Sequence, residues 1–249
     1  MTGRLGREPL ARVVQRKDAI LFDLFHTLTA LESTWSSGAM TSAMLGVSKD
    51  AWDEQLLERS RDRLTGALKD PAVIIRTMAH AIDPRIPEEL IAAAVKNRIE
   101  RFAGALLNVP ESTLKTLAAL KRRGKKIGLI SNADVLEAAA WDRSSMAPYF
   151  DSVIFSCHVG CVKPEPEIYR LSLKELGVAA SQCLFVGDGG SRELEGARRL
   201  GITTVMIAGI IREIWPDRIN ARKAHADYVI EHLIELVQNV DEGILGGSE

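Results

Sequence analysis

The stretch LFDLFHTLT, residues 21–29, decides the fold. Leu21 and Phe22 finish a short apolar run that starts at Ala19, and the run stops on an acid, Asp23. A short apolar run without polar alternation suits a strand buried on both faces. An acid just past such a strand is most often a turn or helix cap. The rest of the chain must show whether Asp23 stands alone.

It does not. KIGLI (126–130), SVIF (152–155), CLFVG (183–187) and TTVMI (203–207) are runs of the same kind, and DYVI (227–230) is a shorter one followed by EHLIELVQNV. Helical patterns separate them. ESTLKTLAALKRRG carries Leu114, Leu117 and Ala118 on one face, basic residues in its last turn and Gly124 at its end. ADVLEAAAWD reads as another helix. PEPEIYRLSLKELG starts near Pro164–Pro166 and closes at Gly177, and SRELEGARRLG closes at Gly201. Strands alternating with helices specify an α/β fold: a doubly wound, mostly parallel, Rossmann-like core sheet.

Between 31 and 107 the signal is helical only, with Trp52, Leu56 and Leu64 on one face and Ile74, Met78 and Ala81 on another. The expected organisation is therefore a basic N-terminal arm over 1–18, flexible or docked on the surface, and an α/β core from 19–30 and 108–240. A helical cap over 31–107 is inserted after the first strand, and a loose tail fills 241–249. Ligands of open α/β sheets bind at the carboxyl ends of the strands, where this insert sits.

Composition narrows the partners. The 249 residues are 46% hydrophobic and 26% charged, with a net charge of −1, so no global field favours nucleic acid or an anionic membrane. No run approaches the roughly 18 apolar residues of a membrane span. Three cysteines are too few for a disulfide framework, and no secretory apolar stretch opens the sequence, so a cytoplasmic location is expected. SCHVGC brings Cys157, His158 and Cys161 together, but no second ligand pair follows at zinc-finger spacing.

The polar residues at the strand ends are Asp23 with His26 and Thr27, then Ser131 and Asn132, then Lys163, then Asp188. Two acids, a hydroxyl, an amide and an amine from distant parts of the chain are hard to assign to caps. In order, FDLFHTLT, ISN, VKPEPEIY and VGDGGSRELEGARRLG resemble the four motifs of the haloacid dehalogenase superfamily. The insert matches that family's helical cap in position and size. A dinucleotide loop is the other reading of GDGG, but G-x-G-x-x-G fails at Arg192.

The resemblance implies that Asp23 is a nucleophile forming a covalent aspartyl intermediate. It implies that Ser131 bonds a transferring phosphoryl oxygen with help from the backbone near Asn132, and that Lys163 neutralises the developing charge. It implies a Mg²⁺ ion held by Asp23, Asp188 and the backbone carbonyl of Phe25, with Glu193 supporting the ion from further out. The cations answer a physical need. Two unit negative charges 4 Å apart repel by about 4 kcal/mol at an effective dielectric near 20. Uncompensated, that is roughly a thousandfold in rate.

The sequence departs from the phosphatases of this superfamily at Phe25. They place there a second Asp that protonates the leaving alkoxide, a role worth about 10² to 10⁴-fold. A phosphomonoesterase would need another acid/base. His26 is adjacent, with an ordinary pKa of about 6.5, but it turns inward only if the backbone there is loop-like. A 2-haloacid dehalogenase carries an aromatic residue at this position and expels halide without a proton. It uses no metal, however, and its carboxylate-binding arginine lies soon after the first motif, whereas residues 24 to 48 here contain no Arg. A degenerate site that binds a phosphorylated ligand or a partner without turnover is the third reading. GDGGSRE favours metal and phosphate. The expectation is a Mg²⁺-dependent hydrolase of a small phosphorylated metabolite, monomer or homodimer, with Trp35 at the cap entrance available to stack on substrate.

Overall fold

The computed structural model describes residues 8–36 and 38–238. The start of the expected arm, Ser37 and the expected tail over 241–249 lie outside them. Six parallel strands form one sheet: β1 Ala19–Phe22, β2 Lys126–Ser131, β3 Ser152–Phe155, β4 Cys183–Gly187, β5 Thr203–Ile207 and β6 Tyr228–Ile230. Their spatial order is β3-β2-β1-β4-β5-β6. Chain order runs outward in both directions from the β1/β4 pair, which makes that pair the topological switch point. Phe22 stands opposite Leu129 on one side and Val186 on the other, and the Asp23 amide donates to the Val186 carbonyl at 2.9 Å. Asp23 therefore emerges at the switch point, one strand away from Asp188.

Period-two alternation sends each strand's side chains into two cores. Ile20, Phe22, Leu129, Leu184 and Val205 pack on one face, and Leu21, Ile130, Phe185 and Met206 on the other. All four residues of β1 are completely buried. Each aliphatic side chain taken wholly out of water contributes about 1.5–3 kcal/mol, so the strand that carries Asp23 is among the hardest to move.

The helices are α1 Leu10–Arg16, α2 Thr41–Leu45, α3 Lys49–Glu58, α4 Ser60–Leu64, α5 Pro71–Ile82, α6 Glu88–Leu107, α7 Glu111–Arg122, α8 Val135–Ala138, α9 Ser156–Val159, α10 Pro166–Leu176, α11 Glu193–Arg199, α12 Gly209–Ile214 and α13 Ile219–Lys223. Pro71 opens α5 and the Asp70 carboxylate caps it at the Val73 amide, 2.9 Å away. Helices α2, α3, α5 and α6 share a core of their own around Trp52, Ile75, Met78 and Ile91, which Leu136 of α8 joins.

Three details differ from the sequence reading. The arm is a helix from Leu10, and its adjacent Val13 and Val14 are buried in the main core. The pattern ADVLEAAAWD gives only one α-turn, because Trp141 leaves the helix to pack against Phe150 and Phe155. SRELEGARRLG starts its helix at Glu193, since Ser191 and Arg192 are left-handed, with φ of 50° and 53°.

The long helix α6 presses onto the segment that leaves the nucleophile loop. A Cβ on Gly104 would lie 1.8 Å from the Trp35 carbonyl oxygen. Gly104→Ala forces these backbones apart. It is expected to cost about 1–3 kcal/mol in urea unfolding, whereas Gly124→Ala, with open space around it, should show only the strain of its left-handed backbone. Equal urea midpoints for wild type and Gly104→Ala would show that the close approach does not matter.

Candidate active site

Asp23 has both oxygens engaged. Lys163 Nζ donates to Oδ1 at 2.5 Å and Thr27 Oγ1 donates to Oδ2 at 3.0 Å. The same ammonium donates to Glu193 Oε2 at 2.6 Å, so one lysine bridges two carboxylates. Lys163 lies between β3 and α10, and the Asn132 side chain clamps its backbone. Asn132 Oδ1 accepts from the Lys163 amide at 2.8 Å, and its Nδ2 donates to the Lys163 carbonyl at 3.0 Å. Asn132 thus reaches the site through Lys163. Ser131 ends β2 with its hydroxyl buried and without a hydrogen-bond partner.

Glu193 opens α11, and its Oε1 accepts from the Gly189 amide at 3.0 Å. Its seat depends on Gly187: a Cβ there would fall 2.1 Å from Glu193 Oε1. Tyr169 Oη donates to the Glu193 carbonyl at 2.8 Å and holds the start of α11 against α10. Asp188 Oδ1 accepts from the Gly190 amide at 2.7 Å. Its Oδ2 accepts from Arg222 Nη1 at 2.5 Å, a contact no sequence motif announces.

Asp23, Asp188 and Glu193 are all buried, and one oxygen of each lies within 4.8 Å of the others. Burial and the Asp23 charge push the Glu193 carboxyl well above its usual range, against the pull of Lys163. Burial works against the Lys163 ammonium, but Asp23 and Glu193 outweigh it and raise its pKa. An oxygen-only set of three acids suits a hard divalent ion such as Mg²⁺, and the crowded negative charge is what such an ion relieves. Glu193 stands inside this group, closer than the sequence suggested. Among the described residues this is the one cluster of potential ligands. Cys157, His158 and Cys161 form no other, and burial pushes the Cys157 thiol up to about 11.

The loop after Asp23 bends sharply. His26 has φ of 61°, its amide donates to Thr29 Oγ1 at 3.1 Å, and its ring turns toward the site. His26 Nδ1 stands 4.0 Å from Asp188 Oδ2, and its buried Nε2 has no hydrogen-bond partner. The ring stacks on Trp35 at 5.8 Å and meets the edge of Trp215 at 5.4 Å. The Phe25 ring points at the helical layer instead, against Trp35 at 5.4 Å and Phe102 of α6 at 5.1 Å. Trp35 is 5% exposed, and its indole N–H donates to the Ala30 carbonyl at 2.8 Å. It packs this loop together and also lines the cleft in front of it.

A cleft of about 220 Å³ is lined by Phe25, His26, Trp35, Asn132 and Ser191 and by Arg63 and Phe102 of the helical layer. It shares walls with a larger cleft of about 920 Å³. Arg63 of α4 and Arg98 of α6 fasten the two layers. Arg63 Nη1 reaches Asp134 at 2.9 Å and Glu137 at 3.5 Å, and Arg98 pairs with Glu137. All four are buried.

A doubly wound sheet with an acid at the tip of its central strand, a lysine on that acid and a helical lid above defines a class of α/β enzyme. The chain belongs to the haloacid dehalogenase-like hydrolase family, whose model matches residues 17–201. It is 36% identical over 140 residues to a glyceraldehyde 3-phosphate phosphatase of Methanocaldococcus jannaschii, which is 55% of this chain and 58% of that relative. The chain thus spans little more than half the length of that curated relative. A phosphatase structure from Thermococcus onnurineus superposes with a TM-score of 0.57 at 27% identity, covering 92% of this chain and 98% of that one. An L-2-haloacid dehalogenase from Xanthobacter autotrophicus, with chloropropionic acid covalently bound, shares the fold at a TM-score of 0.59 and 20% identity, covering 89% and 97%.

Lys163 is the charge between two buried acids, so its removal is the sharpest test of the arrangement. Lys163→Met keeps the length and loses the charge. It is expected to destabilise the protein by about 3–5 kcal/mol, the cost of stranding buried partners. The double variant Lys163→Met/Glu193→Gln should recover a large part of that in urea titrations. No recovery would show that Glu193 and Lys163 are not electrostatically coupled.

Proposed function

We propose that the protein is a Mg²⁺-dependent phosphatase that hydrolyses a small phosphorylated metabolite through an aspartyl-phosphate. The observation that carries this reading is the buried trio Asp23, Asp188 and Glu193, two of which Lys163 bridges. A halide-releasing site has no use for so much negative charge beside its nucleophile, whereas an ion that must meet a phosphate does. The phosphatase relatives support the same substrate class. Asp23, Asp188 and the Phe25 carbonyl would hold the ion with Glu193 in support; when bound, it screens the attacking carboxylate from the phosphoryl oxygens.

The residues of this chain do the rest. Lys163 holds one oxygen of Asp23 and keeps the carboxylate aimed, and Thr27 fixes its second oxygen. An Asp23 oxygen attacks phosphorus, the P–O bond to the substrate alcohol breaks, and the phosphoryl group is left on Asp23. The Ser131 hydroxyl donates to a phosphoryl oxygen as charge builds there. His26 supplies the proton to the leaving alkoxide in place of the acid missing at Phe25, and takes one from the water that then hydrolyses the acyl phosphate. Its inward turn and unpartnered Nε2 support that role. Phe25, Trp35 and Phe102 keep bulk water from the nucleophile.

No helix among the described residues is long and apolar enough to cross a membrane, and all three cysteines are free. The proposed enzyme acts in the cytoplasm, as monomer or homodimer, on a small phosphorylated metabolite. The aromatic residue at 25 favours the dehalogenase as second reading.

The test is hydrolysis of an aryl phosphate with Mg²⁺, beside halide release from 2-chloropropionate in EDTA. Phosphate release abolished by EDTA and by Asp23→Asn is expected; metal-independent halide release with no phosphatase activity would replace this reading by the second. The role of His26 is tested through the leaving group. His26→Gln should lower kcat by about 10²-fold or more on alkyl phosphates and by far less on aryl phosphates, which leave without a proton. Equal losses on both would remove His26 from proton transfer.

A further inference from the structure

Lys163 spans Asp23 and Glu193 but makes no contact with the third acid. Asp188 has its own cation. Arg222 Nη1 donates to its Oδ2 at 2.5 Å and to its backbone carbonyl at 3.1 Å. The two side chains are 12% and 8% exposed, so water offers little compensation to either.

Arg222 is held there from several directions. It sits near the end of α13, 34 positions after Asp188. Its guanidinium lies 5.3 Å over the Trp215 ring, which Arg218 also covers at 5.1 Å, and that ring stands nearly at right angles to His26. Gly189, with φ of 81°, makes room for the stem: a Cβ there would come within 2.9 Å of the Arg222 Cβ. A surface arginine that pairs by chance has none of this fixation. Yet the oxygen Arg222 occupies belongs to an acid of the proposed metal set. A guanidinium and a divalent cation repel, and one carboxylate oxygen cannot serve both fully.

We propose that Arg222 is a built-in counter-ion, bonded to Asp188 Oδ2 while the site holds no divalent ion and displaced from it when Mg²⁺ binds. This inference rests on the metal reading above and goes beyond it. Arg222 keeps the metal-free site neutral enough to stay folded, and it makes Mg²⁺ binding an exchange of one cation for another. It is a positioning residue, acting on the ion through Asp188. Trp215 carries the signal, because the guanidinium moves off its ring when it releases Asp188.

The experiment is isothermal titration of Mg²⁺ into the full-length metal-free protein, with intrinsic fluorescence and melting temperature followed in parallel. Arg222→Gln should bind Mg²⁺ about tenfold more tightly than wild type, since a competing charge is gone. Its metal-free melting temperature should fall and its Mg²⁺-induced rise should be larger. Wild-type fluorescence should change on adding Mg²⁺, and Trp215→Phe should abolish that change. Arg222→Lys, which keeps the charge but loses the planar fork, should fall between wild type and Arg222→Gln, and it carries the test if the glutamine variant does not fold. Affinity in these variants equal to or weaker than wild type overturns the proposal while leaving the metal reading intact. Absence of Mg²⁺ binding in wild type and both variants removes the metal reading and this inference with it.

Discussion

Three buried carboxylates, two at the tips of neighbouring strands and one at the start of α11, need positive charge, and the local structure follows from how they get it. Like charges at about 4 Å repel by about 4 kcal/mol even at an effective dielectric near 20, and a domain's whole margin is about 5–15 kcal/mol. Lys163 and Arg222 meet that demand within the chain. Each needs its own scaffold: Asn132 clamps the Lys163 backbone, and Trp215 and Gly189 confine Arg222. The acids come together because β1 and β4 are adjacent at the switch point, and Glu193 fits because residue 187 has no side chain.

Replacing an acid by Phe25 changes more than proton transfer. The Phe25 ring joins Trp35 and Phe102 in an apolar block between the nucleophile loop and α6. An acid at that position would be buried among aromatic rings without a partner, which costs several kcal/mol. His26 turns its ring toward the site from the adjacent position, at the cost of a left-handed backbone worth about 1–3 kcal/mol of strain. That strain is held by the Thr29 contact and by two indoles. Strain and apolar packing lie side by side in the loop that follows the wholly buried β1, so the loop has a rigid base to bend from.

The strands were legible because each is an unbroken apolar run, and the parallel arrangement followed from the helices between them. The places of Asp23, Ser131 and Asp188 were legible because each ends a strand or follows one directly, whereas Lys163 lies in the loop between α9 and α10. Arg222 was not: it lies in a five-residue helix with no periodicity to mark it, and its partner is 34 positions away. Nothing in DLFHT announces the positive φ of His26, which is set by Thr29 and the neighbouring rings. The burial of Trp35 was not legible either: the Ala30 carbonyl and three aromatic neighbours that enclose it are tertiary facts. In the arm, five basic residues hid the Val13–Val14 pair that docks α1.

The same distinction governs the seam between the helical layer and the sheet. Asp134 caps α8 at the Leu136 and Glu137 amides and also receives Arg63, while Glu137 receives both Arg63 and Arg98. Burial and Asp134 raise the Glu137 pKa, although both arginines oppose them. Four buried charges of this kind contribute little net stability, because their desolvation offsets most of their attraction. What they do impose is register: a shift of α4 or α6 along α8 would strand a charge, whereas apolar contacts such as those of Leu136 tolerate sliding. Arg63 and Glu137 line the same cleft as His26 and Asn132. The charges that fix where the helical layer sits therefore also set the shape of the space in front of the nucleophile.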